Sequence, residues 1–265
     1  MNESELLFTE ILGCDRASLY LKKNVPVAKT TLCRIASALK RRMRGEPVSY
    51  ILGKTEFMGF EFKVGPAVLI PRPETELVVE TALRHAAKLP GRPGAVVKIL
   101  DVGTGSGCIA VSLAKNLAHC RIDAIDISEV ALAVAIENAA LHNAEINFIQ
   151  GDLLSCELPP TAYDLIISNP PYVLSAEIKN LQPEVQHEPR AALDGGTDGL
   201  GFYRAIIARA PCTLRDGGFL IMEMGFKQCV AITQIVQGAG NFIIQEVKKD
   251  YNGIERVMVA QYNTR

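Results

Sequence analysis

Asn169-Pro170-Pro171-Tyr172 is the stretch of this sequence whose residue types, in this order, suit chemistry on a poor nucleophile. An amide or exocyclic base nitrogen has a delocalised lone pair, so an enzyme must hold it in a geometry that favours attack. The Asn169 side-chain oxygen and the Pro170 backbone carbonyl can each accept one N–H of a planar –NH2 group. The Tyr172 ring can cover the flat face of that group. Pro170 and Pro171 stiffen the backbone. The apolar run from Tyr163 to Ser168 before them reads as a buried strand. The four residues therefore stand at a strand's C-terminal end, where open α/β sheets bind their ligands. Asn-Pro is also a common turn-starting pair, so the meaning of the tetrapeptide depends on what the other strand ends hold.

Three earlier strand ends hold suitable groups. The first predicted strand runs into Asp101-Val102-Gly103-Thr104-Gly105-Ser106-Gly107, whose glycines permit a tight turn close to a ligand. The loop alone points to a nucleotide without saying which one. The second strand ends in Asp126, about twenty residues on, where an acid can take ribose hydroxyls; taken singly it would be a helix-cap or turn acid. The third ends in Gly151-Asp152-Leu153, where Asp152 can accept from an adenine amino group and Leu153 can lie against the ring. No P-loop lysine follows the glycines, which speaks against phosphate transfer. A nicotinamide enzyme would use the loop and Asp126 but leave Asn169 to Tyr172 without a task. S-adenosylmethionine engages all four ends, with its adenosine over the first three and its sulfonium methyl toward the fourth.

Positioning these groups requires a regular frame. From Val96 onward, strand-like and helix-like segments alternate, which implies a parallel sheet with helices on both faces. Helices are expected at Cys108 to Leu117, Glu129 to Leu141, Gly201 to Leu214 and Lys227 to Val236, with a strand at Gly218 to Glu223. The last two strands, Phe242 to Lys248 and Glu255 to Ala260, have no helix between them, so one runs antiparallel at or near the edge. Upstream, residues 46–75 combine aromatic and β-branched residues with Gly59 and Gly65-Pro66, the pattern of a β-hairpin linker. Pro73, Glu74 and Glu76 then open a helix; Arg72 and Thr75 either line the cofactor pocket or belong to that helix's cap. In residues 1–45, Leu6, Leu7, Ile11 and Leu12, then Leu32, Ile35, Ala36 and Leu39, have the spacing of a small helical bundle. From Arg16 to Arg44 there are nine Lys or Arg and no acid, either a solvated basic face or a docking surface for an acidic partner. The expected division is thus a helical recognition domain over 1–45, a linker over 46–75 and a catalytic domain over 76–265.

The bulk numbers fit that division. The 265 residues are 48% hydrophobic and 22% charged, enough for one large domain and a small one. Apolar stretches are strand-length, so no membrane span is expected. The acidic N-terminus does not read as a secretory signal, and a cytoplasmic protein is expected. Seven cysteines, odd in number and without a CxxC pair, suggest reduced thiols. The four histidines lack ligand spacing, and no metal is expected. A net charge of −1 weighs against broad nucleic-acid binding, and nothing demands more than a monomer.

At this point the sequence resembles a family. Gly103 to Gly107, Asp126, Asp152 and Asn169 to Tyr172, in that order, resemble the Rossmann-like class I S-adenosylmethionine-dependent methyltransferases that act on amino and amide nitrogens. Leu69-Ile70-Pro71-Arg72-Pro73-Glu74-Thr75-Glu76 and Glu188-Pro189-Arg190-Ala191-Ala192-Leu193-Asp194-Gly195-Gly196 narrow the likeness to the peptide chain release factor glutamine methyltransferases. So do Asp198-Gly199-Leu200 and Lys249-Asp250-Tyr251, and the likeness covers nearly the whole chain. It implies a mostly parallel seven-stranded sheet, the glutamine of a Gly-Gly-Gln tripeptide as substrate, and a release factor as partner. Asn169, Pro170, Pro171 and Tyr172 would be catalytic. Gly103, Thr104, Gly105, Ser106, Gly107, Asp126, Asp152, Leu153 and Asn169 would hold S-adenosylmethionine. An adenine or cytosine amino-methyltransferase would need the same reactive motif.

Overall fold

The computed structural model describes residues 2–21, 26–89, 96–152 and 162–264. Its centre is a seven-stranded sheet of β3 (Val97–Val102), β4 (Cys120–Asp126), β5 (Ile146–Gln150), β6 (Tyr163–Ser168), β7 (Leu214–Glu223), β8 (Phe242–Lys249) and β9 (Glu255–Tyr262). The order across the sheet is β5-β4-β3-β6-β7-β9-β8. Strands β3 to β7 pair in parallel, and β9 runs antiparallel between β7 and β8. The expected antiparallel strand therefore lies next to the edge. The order reverses between β3 and β6, which opens a crevice at their C-terminal ends.

Alternating residues of one strand serve opposite faces, and here both faces are covered. Ile99, Ile122, Leu165, Ile167, Ile221 and Val257 pack against α5 (Pro73–Ala86), α6 (Cys108–Asn116) and α7 (Glu129–Leu141). Leu100, Ile125, Ile166, Leu220, Met222 and Met258 pack under α8 (Gly201–Arg209) and α9 (Cys229–Gly238). All six residues of β6 are buried, which is why its sequence is a continuous apolar run rather than an alternating one. Each fully buried Leu or Ile side chain contributes roughly 1.5–3 kcal/mol of transfer free energy, so the strand bearing the tetrapeptide is anchored from both sides.

Helix starts follow local chemistry. Pro73 opens α5, and the acids Glu74 and Glu76 sit in its first turn. Ser128 caps α7 by accepting from Ala131 N at 3.2 Å. Asn2 and Glu5 form a reciprocal capping box on α1 (Glu3–Leu12). α8 stops at Arg209 and passes through a 3-10 turn, Ala210–Cys212, into a longer β7 than expected. Pro211 is the reason, because it cannot donate to continue the α-helical ladder.

Before the sheet come α2 (Arg16–Leu21), α3 (Lys29–Arg42), α4 (Val48–Leu52) and a hairpin of β1 (Lys54–Phe57) and β2 (Phe60–Lys63). The hairpin is where the aromatic spacing placed it. Tyr50-Ile51-Leu52, read as part of the same β segment, is instead a short helix ending at Gly53 in the left-handed region, with φ 76°. The hairpin docks through α7: the fully buried Asn138 accepts from Lys63 N at 2.8 Å and donates to Lys63 O and Ser106 O. The six described cysteines form no disulfide. Among the described residues no helix is long and apolar enough to cross a membrane.

Candidate active site

The glycine-rich loop is held open by its own strands. Gly103 N and Thr104 N donate to Ile125 O, at 2.9 and 3.1 Å, which folds the end of β3 against β4. Gly107 begins α6 with φ 79°, and a Cβ there would come within 3.1 Å of Ala135 Cβ on α7, so only glycine allows this helix–helix approach. Asp101 is fully buried under the loop, and its Oδ2 accepts from Thr104 Oγ1 at 2.7 Å. Its Oδ1 is buried without a hydrogen bond of standard geometry, having only a looser attraction to the Ala110 amide. Burial pushes the Asp101 carboxyl up to about 7, against the Thr104 bond that lowers it. Nothing lies within 4 Å of where a Cβ on Gly103 would stand, so the loop leaves open space at the end of β3 that a bulky ligand such as an adenosine-bearing cofactor can occupy.

Asp126, at the end of β4, holds the backbone of the loop and of the turn that follows it. Its Oδ2 accepts from Gly105 N at 2.8 Å and its Oδ1 from Ser128 N at 2.9 Å. Two amides leave a carboxylate further lone pairs for a ligand, so the residue shapes the loop while remaining half-buried at the crevice. Asp152 follows β5, half-buried on the same side of the sheet. Leu153, expected against the adenine ring, lies outside the described residues.

The tetrapeptide sits at the end of β6, beside β3. Ser168 Oγ donates to Val102 O at 2.8 Å and ties the two strand ends together. Asn169 is half-buried, and its Nδ2 donates to Thr75 Oγ1 at 3.0 Å. Thr75 in turn donates to Glu223 Oε2 at 2.6 Å, in the last residue of β7. That leaves Asn169 Oδ1 as the atom available to a ligand. Glu223 is fully buried, and desolvation pushes its carboxyl up to about 7 despite the Thr75 bond and nearby Arg256. Burial raises the Tyr172 phenol as well.

The loop after the motif clasps its backbone. Val173 N donates to Leu193 O at 2.9 Å, Gly195 N to Val173 O at 2.8 Å and Ser175 N to Gly196 O at 3.0 Å. Gln228 Nε2 donates to Tyr172 O and Gly199 O, at 3.0 and 3.2 Å. A Cβ on Gly195 would lie 2.8 Å from Tyr172 Cα and 2.9 Å from Pro171 O. The glycines of this loop therefore serve close backbone approach. Behind it, Glu188 accepts from Ile70 N at 3.3 Å and pairs with Arg72, tying the segment before α5 to the loop. A cavity of about 450 Å³ lies between Ser175 and Leu193 but is not lined by Asn169 or Tyr172, so it is not the reactive slot.

The structure places Asn169 to Tyr172 and the acids Asp126 and Asp152 at strand C-terminal ends, where the sequence put them. The sequence left Thr75 between lining the cofactor pocket and capping α5; its hydroxyl bridges Asn169 and Glu223. Glu223 was not singled out from the sequence. Among the described residues no group of three His, Cys, Asp or Glu is arranged to hold a metal.

A mostly parallel sheet with its crevice at the β3/β6 reversal, a glycine loop after β3 and Asn169-Pro170-Pro171-Tyr172 after β6 together define a class I methyltransferase. The family model described as "Methyltransferase small domain" matches residues 83–196, and the "PrmC N-terminal domain" matches residues 1–53. A crystal structure titled as a methyltransferase from Pyrococcus furiosus shares the fold at a TM-score of 0.57, with 14% identity, covering 89% of this chain and 100% of that one. The release factor glutamine methyltransferase of Geobacter sulfurreducens is 44% identical over 97% of this chain and 87% of its own length. That of Thermodesulfovibrio yellowstonii is 41% identical over 98% of this chain and 92% of its own. The chain belongs to the release factor glutamine methyltransferase family.

Proposed function

We propose that this chain methylates the side-chain amide nitrogen of a release-factor glutamine, the one in the Gly-Gly-Gln motif, with S-adenosylmethionine as donor. One observation supports it above the others: Thr75 engages the Asn169 amide nitrogen, so the oxygen is offered at the strand end beside the glycine loop. A site built to accept two N–H bonds suits a carboxamide –NH2.

S-adenosylmethionine supplies an electrophilic methyl group on a sulfonium. Gly103 to Gly107 would make room for it, and Asp126 and Asp152 would take its ribose hydroxyls and its adenine amino group. Asn169 Oδ1 and the Pro170 carbonyl each accept one substrate N–H, which turns the nitrogen lone pair toward the methyl and favours its pyramidal form. Pro171 fixes the turn and Tyr172 covers the amide plane. Such alignment supplies up to about 7–11 kcal/mol of a barrier in ideal cases. Acceptors aimed at the charge that develops on nitrogen add to it. An N-protonated amide is strongly acidic, so the proton leaves without an obligatory general base. Residues 1–45 recognise the release factor, residues 46–75 link, and residues 76–265 catalyse. The protein works as a cytoplasmic monomer and does not itself bind nucleic acid, in keeping with its net charge of −1.

The test is transfer of labelled methyl from S-adenosylmethionine to a bacterial release factor, beside a copy with the Gly-Gly-Gln glutamine changed to alanine. Label on the intact factor alone is the expected result. Label on added DNA or RNA instead would transfer the acceptor pair to an adenine or cytosine amino group and refute the substrate.

A further inference from the structure

Thr75 has one hydroxyl proton and lies between two polar groups of different kinds. On one side is the Asn169 side chain, at 3.0 Å from Nδ2; on the other is Glu223 Oε2, at 2.6 Å. An amide can present either its nitrogen or its oxygen after a half-turn about its last bond, with little cost from shape alone. What decides between them is the direction of the Thr75 proton. An ionised carboxylate only accepts, so it takes the proton and leaves Thr75 a lone pair that accepts from Asn169 Nδ2. Glu223 therefore reaches the reactive Asn169 through a single hydroxyl.

We infer that Glu223, acting through Thr75, is a positioning residue for methyl transfer: it sets which atom of the Asn169 amide faces the slot. This rests on the acceptor role given to Asn169 under the proposed function. Neither residue meets the reacting atoms. Neither is part of the tetrapeptide or the glycine loop, and they join α5 and β7, 148 residues apart.

The arrangement has a pH sense. The groups facing Glu223 are Arg256 from β9, Glu74 and Thr75 from α5, Tyr172 from the loop after β6, and Cys108 from α6; Tyr203 of α8 donates to its backbone oxygen at 2.9 Å. Arg256, Thr75 and Tyr172 favour the charged form, while desolvation and Glu74 oppose it. Once Glu223 takes a proton it can donate to Thr75, whose own proton is then free to turn to Asn169. That reversal suits the flipped amide, which offers –NH2 to the slot where the substrate also offers –NH2. Activity should fall as pH drops through the Glu223 ionisation.

Four proteins test this: wild type, Thr75→Val, Thr75→Ser and Glu223→Gln. Thr75→Val is expected to lower kcat on the release factor by roughly 10–100-fold, the scale of a misplaced reacting group, with S-adenosylmethionine affinity and Tm nearly unchanged. Thr75→Ser, which keeps the hydroxyl, should recover activity to within a few-fold. Glu223→Gln accepts from Thr75 through its amide oxygen at every pH, so the acidic limb of the kcat profile should disappear. Full activity in Thr75→Val, equal loss in the Val and Ser variants, or an unchanged acidic limb in Glu223→Gln would overturn the inference. A readout independent of turnover is the side-chain 15N–H signal of Asn169 in the protein alone. It should move with the Glu223 titration in wild type and stop moving in Thr75→Val; a signal that ignores both would also overturn it. Wild type that shows the coupled signal but leaves the release factor unmodified would sink the substrate assignment and leave the positioning network standing.

Discussion

At the scale of residues, the site depends on single hydrogen bonds whose direction matters. Asn169→Ala removes the side-chain acceptor while leaving Pro170, Pro171 and the glycine loop in place. Turnover should fall about 10²–10³-fold, the cost of losing one preorganised polar contact to the transition state, with cofactor affinity changed less than about two-fold. Titration calorimetry beside single-turnover kinetics separates the two, and an equal loss in both would make Asn169 a structural residue. Glu223 has a second consequence, for stability. Its carboxyl is held up at about 7 in the folded protein against an ordinary 4.5, so the fold prefers it neutral. Below the lower value both states keep the proton and burial of charge costs nothing; as pH rises to about 7 the unfolded chain ionises first and stability falls. The shift sets an upper bound of about 3 kcal/mol at pH 8, at 1.36 kcal/mol per unit. Glu223→Gln should therefore melt higher than wild type at pH 8 and lose that gain by pH 5. A variant no more stable at pH 8 would show that Arg256, Thr75 and Tyr172 fully compensate the charge. Asn169 was legible in the sequence because two prolines and a tyrosine follow it. Glu223 was not, because its partner is 148 residues away and a lone glutamate at a strand end has many ordinary explanations.

At the scale of elements, the tetrapeptide keeps its place because the loop after it can come very close. Gly195 is where this is most exacting: an added Cβ would sit 2.8 Å from Tyr172 Cα and 2.9 Å from Pro171 O, both backbone atoms that cannot swing aside. Gly195→Ala must push the motif or the loop outward. A displacement near 1 Å at reacting groups costs on the order of 10²-fold in rate, so kcat should drop by about that much while the sheet, and cofactor binding at β3, persist. Gly196→Ala is the contrast on the same loop, because nothing lies within 4 Å of its Cβ even though its φ of 93° disfavours alanine. Equal kinetic damage from both would point to backbone strain rather than crowding at Tyr172. From sequence the same glycines read only as flexibility, since close approach is a property of two segments and neither reveals it alone. Apart from the start of β7, the described strands were legible to within a residue or two, most clearly where burial on both faces leaves apolar runs. Val48–Leu52 was misread because five residues show no period, and Tyr50 is buried there by packing with Val64, Val68 and Ile70. On α3 only Ile35 of the expected apolar set is buried, joined by Ala38, while Leu32, Ala36 and Leu39 remain exposed.

At the scale of the whole molecule, the end of α3 and the turn after it touch the catalytic body at the segment around Pro183 to His187, while Tyr50 of α4 packs near Ala131 of α7. Arg42 bridges Glu3 of α1 and Glu184, a Cβ on Gly45 would come within 3.0 Å of Pro183, and His187 Nε2 lies 3.3 Å from Arg44 O. That segment continues into Glu188 and the loop that clasps Tyr172, so the N-terminal helices and the tetrapeptide are joined through one stretch of chain. Part of the basic charge read from the sequence is neutralised internally, through Arg16–Glu5, Arg41–Glu46 and Arg42 with its two acids. Lys29, Arg34 and Lys40 on α3 stay exposed, beside the exposed Leu32, Leu39 and Met43. A basic surface with apolar residues among its charges suits an acidic protein partner better than a purely solvated face does. Reversing Arg34 and Lys40 to glutamate removes two attractions and adds two repulsions; at about 0.2–1 kcal/mol for each exposed pair, KM for an intact release factor should rise roughly 10-fold. kcat and the affinity for S-adenosylmethionine should hold, and a short Gly-Gly-Gln peptide should show no change, because it is too small to reach α3. The wild-type KM for the intact factor should also climb with salt as exposed charges are screened. If the peptide and the intact factor respond alike, the charges act on the slot itself. If neither responds, α3 is a solvated face and recognition lies in the loops around Tyr172.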